Sequence, residues 1–260
     1  MAVAQEEHIA ISTEDSVLRI RFNRPDKKNA ITRDMYTAMA DAIAGSNTDS
    51  SVRVILIEGS EGCFTSGNDL KDFMNAPTTG DGSPVGRFLA EASMAEKPLV
   101  AAVTGIAIGI GTTMLLHCDL AYASDKAKFH MPFVSLGLVP EFGSSLILPS
   151  LIGQRRAAEL LMLAKPFGAG TALELGFINA IHEDDEVVDA AMDSARALAA
   201  MPPSALRQTK KLMRRGFTEA IAEQIREEAA CFAASLTGPE ATEAFQAFME
   251  KRKPDFSKFE

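Results

Sequence analysis

P-L-V-A-A-V-T-G-I-A-I-G-I-G-T-T-M-L-L-H-C, residues 98–118, contains no Asp, Glu, Lys or Arg. A run of that length approaches the roughly 20 apolar residues of a membrane-spanning helix. Its glycines argue otherwise. Gly105, Gly109 and Gly111 punctuate the middle, so the run reads as a buried strand (P-L-V-A-A-V-T), a glycine turn and a buried helical piece (T-T-M-L-L-H-C) that leads into another strand, D-L-A-Y-A-S (119–124).

Outward from this stretch the first half keeps alternating. V-L-R-I-R-F-N (17–23), R-V-I-L-I-E (53–58), P-L-V-A-A-V (98–103), 119–124 and I-N-A-I-H-E (178–183) are strand candidates. Between the first two, residues 32–46 have helical periodicity, with Thr32 as cap and Met35, Met39 and Ile43 on one face. This order predicts an α/β fold. After about residue 184 strand signals stop and helical patterns take over, so the C-terminal quarter is expected to be a helical layer. There Phe232, Phe245, Phe248 and Phe256 concentrate aromatic surface, either as a core edge or as a subunit interface.

Acidic residues outnumber basic ones, giving a formal net charge of -9, which argues against a nucleic-acid surface. Cys63, Cys118 and Cys231 are few, odd in number and far apart, so neither a disulfide framework nor a metal site is implied and a reducing compartment fits. Met1–Glu7 lacks a basic start followed by an apolar stretch, so no signal peptide is read and a cytoplasmic protein is expected.

Two glycine turns carry the chemistry. F-T-S-G-N-D-L (64–70) follows the turn S-E-G-C and precedes K-D-F-M, and G-I-A-I-G-I-G-T-T (105–113) lies at a second strand-to-helix junction. Each could direct a backbone N–H outward, and two such turns could place two donors on one ligand oxygen. A dinucleotide fingerprint is excluded, since its third glycine would fall on Met114. Glu141 is the only acidic residue between Asp125 and Glu159, in the apolar run S-L-G-L-V-P-E-F-G-S-S (135–145). It is either a helix-start carboxylate following Pro140 or a base whose proton affinity is raised by desolvation. His117 and His130 have no partner at a diagnostic spacing, Asp119 reads as an acceptor for backbone donors, and Ser144 and Ser145 lack a serine-hydrolase context.

Together N-R-P-D-K-K-N-A (23–30), F-T-S-G-N-D-L (64–70), K-P-L-V-A-A-V-T-G-I-A-I-G-I-G (97–111), M-P-F-V-S-L-G-L-V-P-E (131–141) and E-A-F-Q-A-F-M-E-K-R-K-P-D-F (243–256) resemble the enoyl-CoA hydratase/isomerase, or crotonase, superfamily. The resemblance implies a crotonase-like spiral of ββα units over residues 1–195 and a helical C-terminal region, 196–260, involved in oligomerisation as a homotrimer or dimer of trimers. It implies an acyl-CoA thioester as substrate, with coenzyme A part of that substrate and no separate cofactor. The N–H groups of Asn68 and Ile110 would form an oxyanion hole, with Gly67 and Gly109 shaping it. Ser66, Asp69 and Leu70 would lie near the adenine, and Lys27, Lys28 or Lys251 would serve the phosphates.

Hydratases of this superfamily commonly use two glutamates, and in register those positions fall on Thr113 and Phe133. Neither is a base, and Phe133 becomes an apolar substrate contact. Glu141 falls where Δ3,Δ2-enoyl-CoA isomerases carry their single catalytic glutamate. The resemblance therefore points to an isomerase of fatty acid metabolism. Alternatives are a hydratase using Glu141 or some other, unaligned carboxylate, or a non-catalytic acyl-CoA or RNA-binding homologue.

Overall fold

The computed structural model describes residues 5–6, 8–69, 71–72, 80 and 82–259. Its frame consists of β1 (Gln5–Glu6), β2 (Ile9–Glu14), β3 (Val17–Phe22), β4 (Val54–Glu58), β5 (Leu99–Val103), β7 (Leu120–Ser124) and β10 (Ala180–His182), which form one sheet in the order β1-β2-β3-β4-β5-β7-β10. The five expected strands are β3, β4, β5, β7 and β10, and each pairs in parallel with the next. Sequence reading missed β2, which pairs antiparallel with β3 on one side and with the edge strand β1 on the other. Its burial fades from Ile9 to exposed Thr13 and Glu14, so it lacks a clean apolar pattern.

β4 and β5 are buried at every position, as expected of central parallel strands covered on both faces. Ile55, Ile57, Leu99, Ala101 and Val103 face the main core. Val54, Leu56, Val100 and Ala102 face the opposite way, onto Ala191, Met192 and Ala195 of α7 (Val187–Ala199). The boundary expected at 195/196 thus falls inside a helix that belongs to the sheet.

Residues 98–118 resolve into β5, a strand β6 (Ile106–Ile108), a short helix α3 (Ile110–Thr113) and a 3-10 turn, Met114–His117. Among the described residues no helix is long and apolar enough to cross a membrane. β6 joins β8 (Lys128–His130) and β9 (Phe167–Gly168) in a second sheet of order β6-β8-β9. The chain alternates between sheets, β5 then β6, β7 then β8, and this alternation builds the crotonase-like spiral of ββα units. Gly105, at φ 62, makes the first crossing, where a Cβ would stand 1.9 Å from the Gly62 carbonyl oxygen.

The helical layer comprises α8 (Pro203–Arg214), α9 (Thr218–Leu236) and α10 (Pro239–Met249). Buried Lys210 of α8 fastens it to the sheet by donating to the Lys97 carbonyl and to Asp119 Oδ2, both at 2.7 Å. Asp119 also accepts the Leu99 N–H at 2.8 Å, in keeping with its expected structural role. Of the C-terminal aromatics, Phe232 and Phe245 are buried while Phe248 stays exposed.

α1 (Arg33–Thr48) starts at Thr32, whose Oγ1 accepts the Met35 N–H, and it buries Met35, Met39 and Ile43 as expected. The loop before it is pinned by Asn29, which is fully buried in a left-handed conformation at φ 54. Asn29 Oδ1 accepts from Arg24 N at 2.9 Å and Ser60 Oγ at 3.2 Å, and Nδ2 donates to the Cys63 carbonyl at 2.8 Å. Asn29→Ala removes these bonds, leaves buried partners unsatisfied and puts an alanine at positive φ. A loss of about 2–4 kcal/mol is expected. Urea denaturation measures it, and an unchanged midpoint would refute this account.

Candidate active site

After β4 and after β5 the chain makes two turns that lie side by side. Thr65 pairs in parallel with Ala107, through Thr65 N to the Ile106 carbonyl and Ile108 N to the Thr65 carbonyl, both 3.0 Å. Each segment then reverses at a glycine of positive φ, Gly67 at 89° and Gly109 at 56°. At Gly67 a Cβ would stand 2.8 Å from the Ile108 carbonyl oxygen, and at Gly109 it would meet nothing within 4 Å, so that turn has an open side.

Asn68 and Ile110 come next. Several neighbouring amides are bonded: Gly67 N donates to Thr65 Oγ1 (3.1 Å), Asp69 N to the Ile31 carbonyl (2.9 Å), Gly109 N to the His130 carbonyl and Thr112 N to the Gly109 carbonyl (both 2.8 Å). The N–H groups of Asn68 and Ile110 have no acceptor among the described residues. Ile110 opens α3, where a helix leaves its first amides unpaired.

Glu141 is delivered by the turn before α4 (Ser144–Ile152), with Phe142 at φ 62 and Gly143 at φ 70 bending the chain after it. Ser144 Oγ donates to the Glu141 carbonyl at 2.7 Å. The Glu141 side chain is buried, and Thr113 Oγ1 donates to its Oε1. Glu141 lines a cavity of about 50 Å³ together with Asn68, Leu89, Phe142, Ile225 and Phe232 among others. Among the described lining residues it is the one ionisable group. Burial pushes its pKa up to about 8; the Thr113 hydrogen bond opposes that shift, and the Glu228 charge adds to it.

Glu141 therefore does not serve α4 with its side chain. That task falls to Glu228 of α9, whose Oε2 accepts from Gly143 N at 2.5 Å and whose Oε1 accepts from Ser145 N at 2.9 Å and Ser145 Oγ at 2.5 Å. Sequence reading missed Glu228 because 85 positions separate it from Gly143. It also missed Tyr36 on α1, fully buried, whose hydroxyl donates to Asn68 Oδ1 at 2.5 Å. A lone tyrosine between the apolar positions Met35 and Met39 was the available signal, since a buried phenol usually finds a partner. Burial, and next the Glu141 charge, raise the Tyr36 pKa well above its ordinary value.

The other expected contacts divide. Phe133 is buried in the core and is not among the cavity residues; its carbonyl accepts from Leu136 N and Leu138 N, both 2.9 Å, and so shapes the turn ahead of Glu141. Despite a desolvation cost, Asp69 is held below the usual carboxylate range by Arg24 (2.7 Å) and the amides of Asp72 and Lys71, so its carboxylate locks the loop. Ser66 sits against the Lys27–Lys28 turn, its N–H on the Lys28 carbonyl at 3.0 Å. Lys27, Lys28 and Lys251 are exposed. Leu70 lies outside the described residues, as do Phe73 and Met74 of K-D-F-M.

His117 stacks on Phe142 with ring centroids 3.9 Å apart, and its Nε2 donates to the Phe142 carbonyl at 2.7 Å. Burial drives its pKa down to about 3, so it stays neutral. His130 Nε2 donates to the Ala164 carbonyl at 2.8 Å. Both act as packing groups. Among the described residues no cluster of three His, Cys, Asp or Glu could hold a metal ion.

A family model described as enoyl-CoA hydratase/isomerase matches residues 12–258. The chain is similar to a crystallised enoyl-CoA hydratase/isomerase from Pseudoalteromonas atlantica T6c, at 40% identity and a TM-score of 0.92 over 96% of this chain and 100% of that one. Human enoyl-CoA delta isomerase 2 is 32% identical over 95% of this chain, which spans only 64% of the human protein's length. Short-chain-enoyl-CoA hydratase of Clostridium acetobutylicum is 30% identical over 95% of this chain and 96% of its own. With two adjacent glycine turns, a buried lone carboxylate and this match along nearly its whole length, the chain belongs to the enoyl-CoA hydratase/isomerase family.

Proposed function

We propose that the protein is a Δ3,Δ2-enoyl-CoA isomerase that shifts the double bond of a 3-enoyl-CoA to give the 2-trans-enoyl-CoA. The observation that carries this reading is the pairing of one buried, proton-avid carboxylate, Glu141, with two N–H groups unbonded among the described residues, on Asn68 and Ile110.

Glu141 takes a proton from C2. The electron pair moves toward the thioester, and the developing negative charge on its oxygen is held by the Asn68 and Ile110 N–H groups, each worth about 10²–10³-fold when preorganised. The carboxylic acid then returns the proton to C4, the double bond settles between C2 and C3, and no proton is gained or lost overall. Thr113 Oγ1 holds Oε1, while Oε2 has no bond among the described residues and is the oxygen assigned to carry the proton. Coenzyme A is part of the substrate, and exposed Lys27 and Lys28 beside Ser66 suit its phosphates. Exposed Phe248 and Met249 on α10 support assembly through the helical layer, as a homotrimer or dimer of trimers.

Hydratase chemistry is less well supported. It calls for a second proton-handling group on the water, and the residues in register with the hydratase glutamates are a threonine bound to Glu141 and a buried phenylalanine. With a 3-enoyl-CoA and a 2-enoyl-CoA assayed in parallel, isomerisation should far exceed water addition. Hydratase turnover equal to or above the isomerase rate would sink the assignment.

Glu141→Gln keeps the shape but cannot accept a proton at neutral pH. Isomerase kcat should fall about 10²–10⁴-fold with acyl-CoA affinity largely retained. Near-normal turnover would remove Glu141 from the mechanism.

The same carboxylate makes stability depend on pH. Unfolded, a glutamate titrates near 4.5, whereas folded Glu141 titrates near 8. Between those values the folded chain holds a proton that the unfolded chain has released, so this group's contribution to stability declines as pH rises through the window and levels off above it. Glu141→Gln should flatten that decline and leave the variant more stable than the parent above pH 8. Denaturation midpoints across pH measure this, and parallel curves for the two proteins would contradict it.

A further inference from the structure

We propose that Glu228 is a positioning residue that sets the proton affinity of Glu141 by occupying the amino end of α4. A helix amino end stabilises nearby anions and lowers their proton affinity, and Glu141 stands three residues before Ser144, the first residue of α4. Left free, the Gly143 and Ser145 amides would favour the Glu141 anion and weaken it as a base. Both amides instead bind Glu228, as does the Ser145 hydroxyl, to which Gln224 Nε2 also donates at 3.0 Å.

Burial raises the pKa of Glu228, and the three donated hydrogen bonds, from the Ser145 hydroxyl and the Ser145 and Gly143 amides, oppose that rise by favouring the carboxylate. Its negative charge cancels the field of α4 at Glu141 and adds repulsion of its own. Both effects raise the proton affinity of the base. Neighbouring groups do not supply the same effect. Ser144–Ile152 contains no ionisable residue. On α2 (Pro84–Ser93), which packs on α9, Arg87 is paired with Asp41 at 2.5 Å and the other ionisable group is Glu91. On α10 these groups are Glu240 and Glu243, the latter bound to Arg252 and Lys258 at 2.5 and 2.9 Å. α9 itself carries Glu219, Glu223, Arg226 and Glu227, and of all these only Glu228 appears as a charge acting on Glu141. Around Glu141 stand the Thr113 hydroxyl, the Tyr36 phenol and neutral His117.

The proposal rests on the reading of Glu141 as the base, but its test does not need the activity. Carboxyl ¹³C resonances of glutamate-labelled protein are followed through a pH titration, with the Glu141 signal assigned by its loss in Glu141→Gln. In Glu228→Gln, which keeps an acceptor oxygen for Ser145 but lacks the charge, the Glu141 midpoint should fall by about one unit. Glu228→Asp keeps the charge but draws it back by one methylene, so a smaller fall in the same direction is expected. A folded Glu228→Gln with an unmoved Glu141 midpoint overturns the proposal. If that variant does not fold, an unmoved midpoint in Glu228→Asp overturns it. The acid limb of the isomerase pH profile should move with the midpoint. A limb that stays put while the midpoint moves would instead count against Glu141 as the base and leave the coupling to Glu228 standing.

Discussion

The parallel pairing of Thr65 with Ala107 is the contact on which the site depends. The loops after β4 and β5 are far apart in sequence, and only their union through two 3.0 Å backbone bonds makes Asn68 and Ile110 neighbours. Three other features support that union. Asn29 ties the preceding turn to the loop before α1, Gly67 lets the backbone close on the Ile108 carbonyl, and Tyr36 holds the Asn68 side chain. Each spends local freedom, through left-handed backbone or a buried polar group, to make two donors rigid. Rigidity is what an anion-stabilising pair requires, because donors that must reorient give back most of what they contribute.

Much of the frame was legible in sequence, and the reason is burial. β4 and β5 are covered on both faces and read as unbroken apolar runs, while Thr32 and the Met35–Met39–Ile43 spacing announce α1. The elements that escaped are those whose pairing supplies what their sequence lacks. β6 is only three residues long and follows a positive-φ glycine. β2, flanked on its outer side only by the two-residue β1, has a fading apolar pattern. Position 195/196 lies within a helix for a related reason: a helix that caps a sheet face has the same periodicity as one in a separate layer, and its packing on Val54, Leu56 and Val100 tells them apart.

At the site, the glycine turns and Glu141 stood out because each is locally odd: glycines at strand ends, and a lone acid in an apolar run. What could not be read was partnership. The amides at the start of α4 are bound by Glu228 of α9, which in sequence looks like any acidic residue of an amphipathic helix. Phe133 illustrates the reverse case. Register marks it as a substrate contact; in the fold its side chain is buried and its carbonyl shapes the turn ahead of Glu141.

Thr113 bears on why one carboxylate can be enough. Its hydroxyl reaches Glu141 Oε1, so a glutamate side chain at 113 would place a second carboxylate against the first. Two such groups in contact cannot both ionise, and one would hold a proton with strongly raised affinity while the other titrated low. That division suits a reaction needing a separate acid and base, as in handling a water molecule. A hydroxyl gives neither charge nor a second titration. It holds Oε1 and leaves Oε2 without a bond among the described residues, which under the proposed isomerase reading is the oxygen that carries a single proton out and back. The helical C-terminal layer reaches the cavity as well: α9 docks on α4, its Glu228 binds the Gly143 and Ser145 amides, and its Ile225 and Phe232 line the cavity with Glu141.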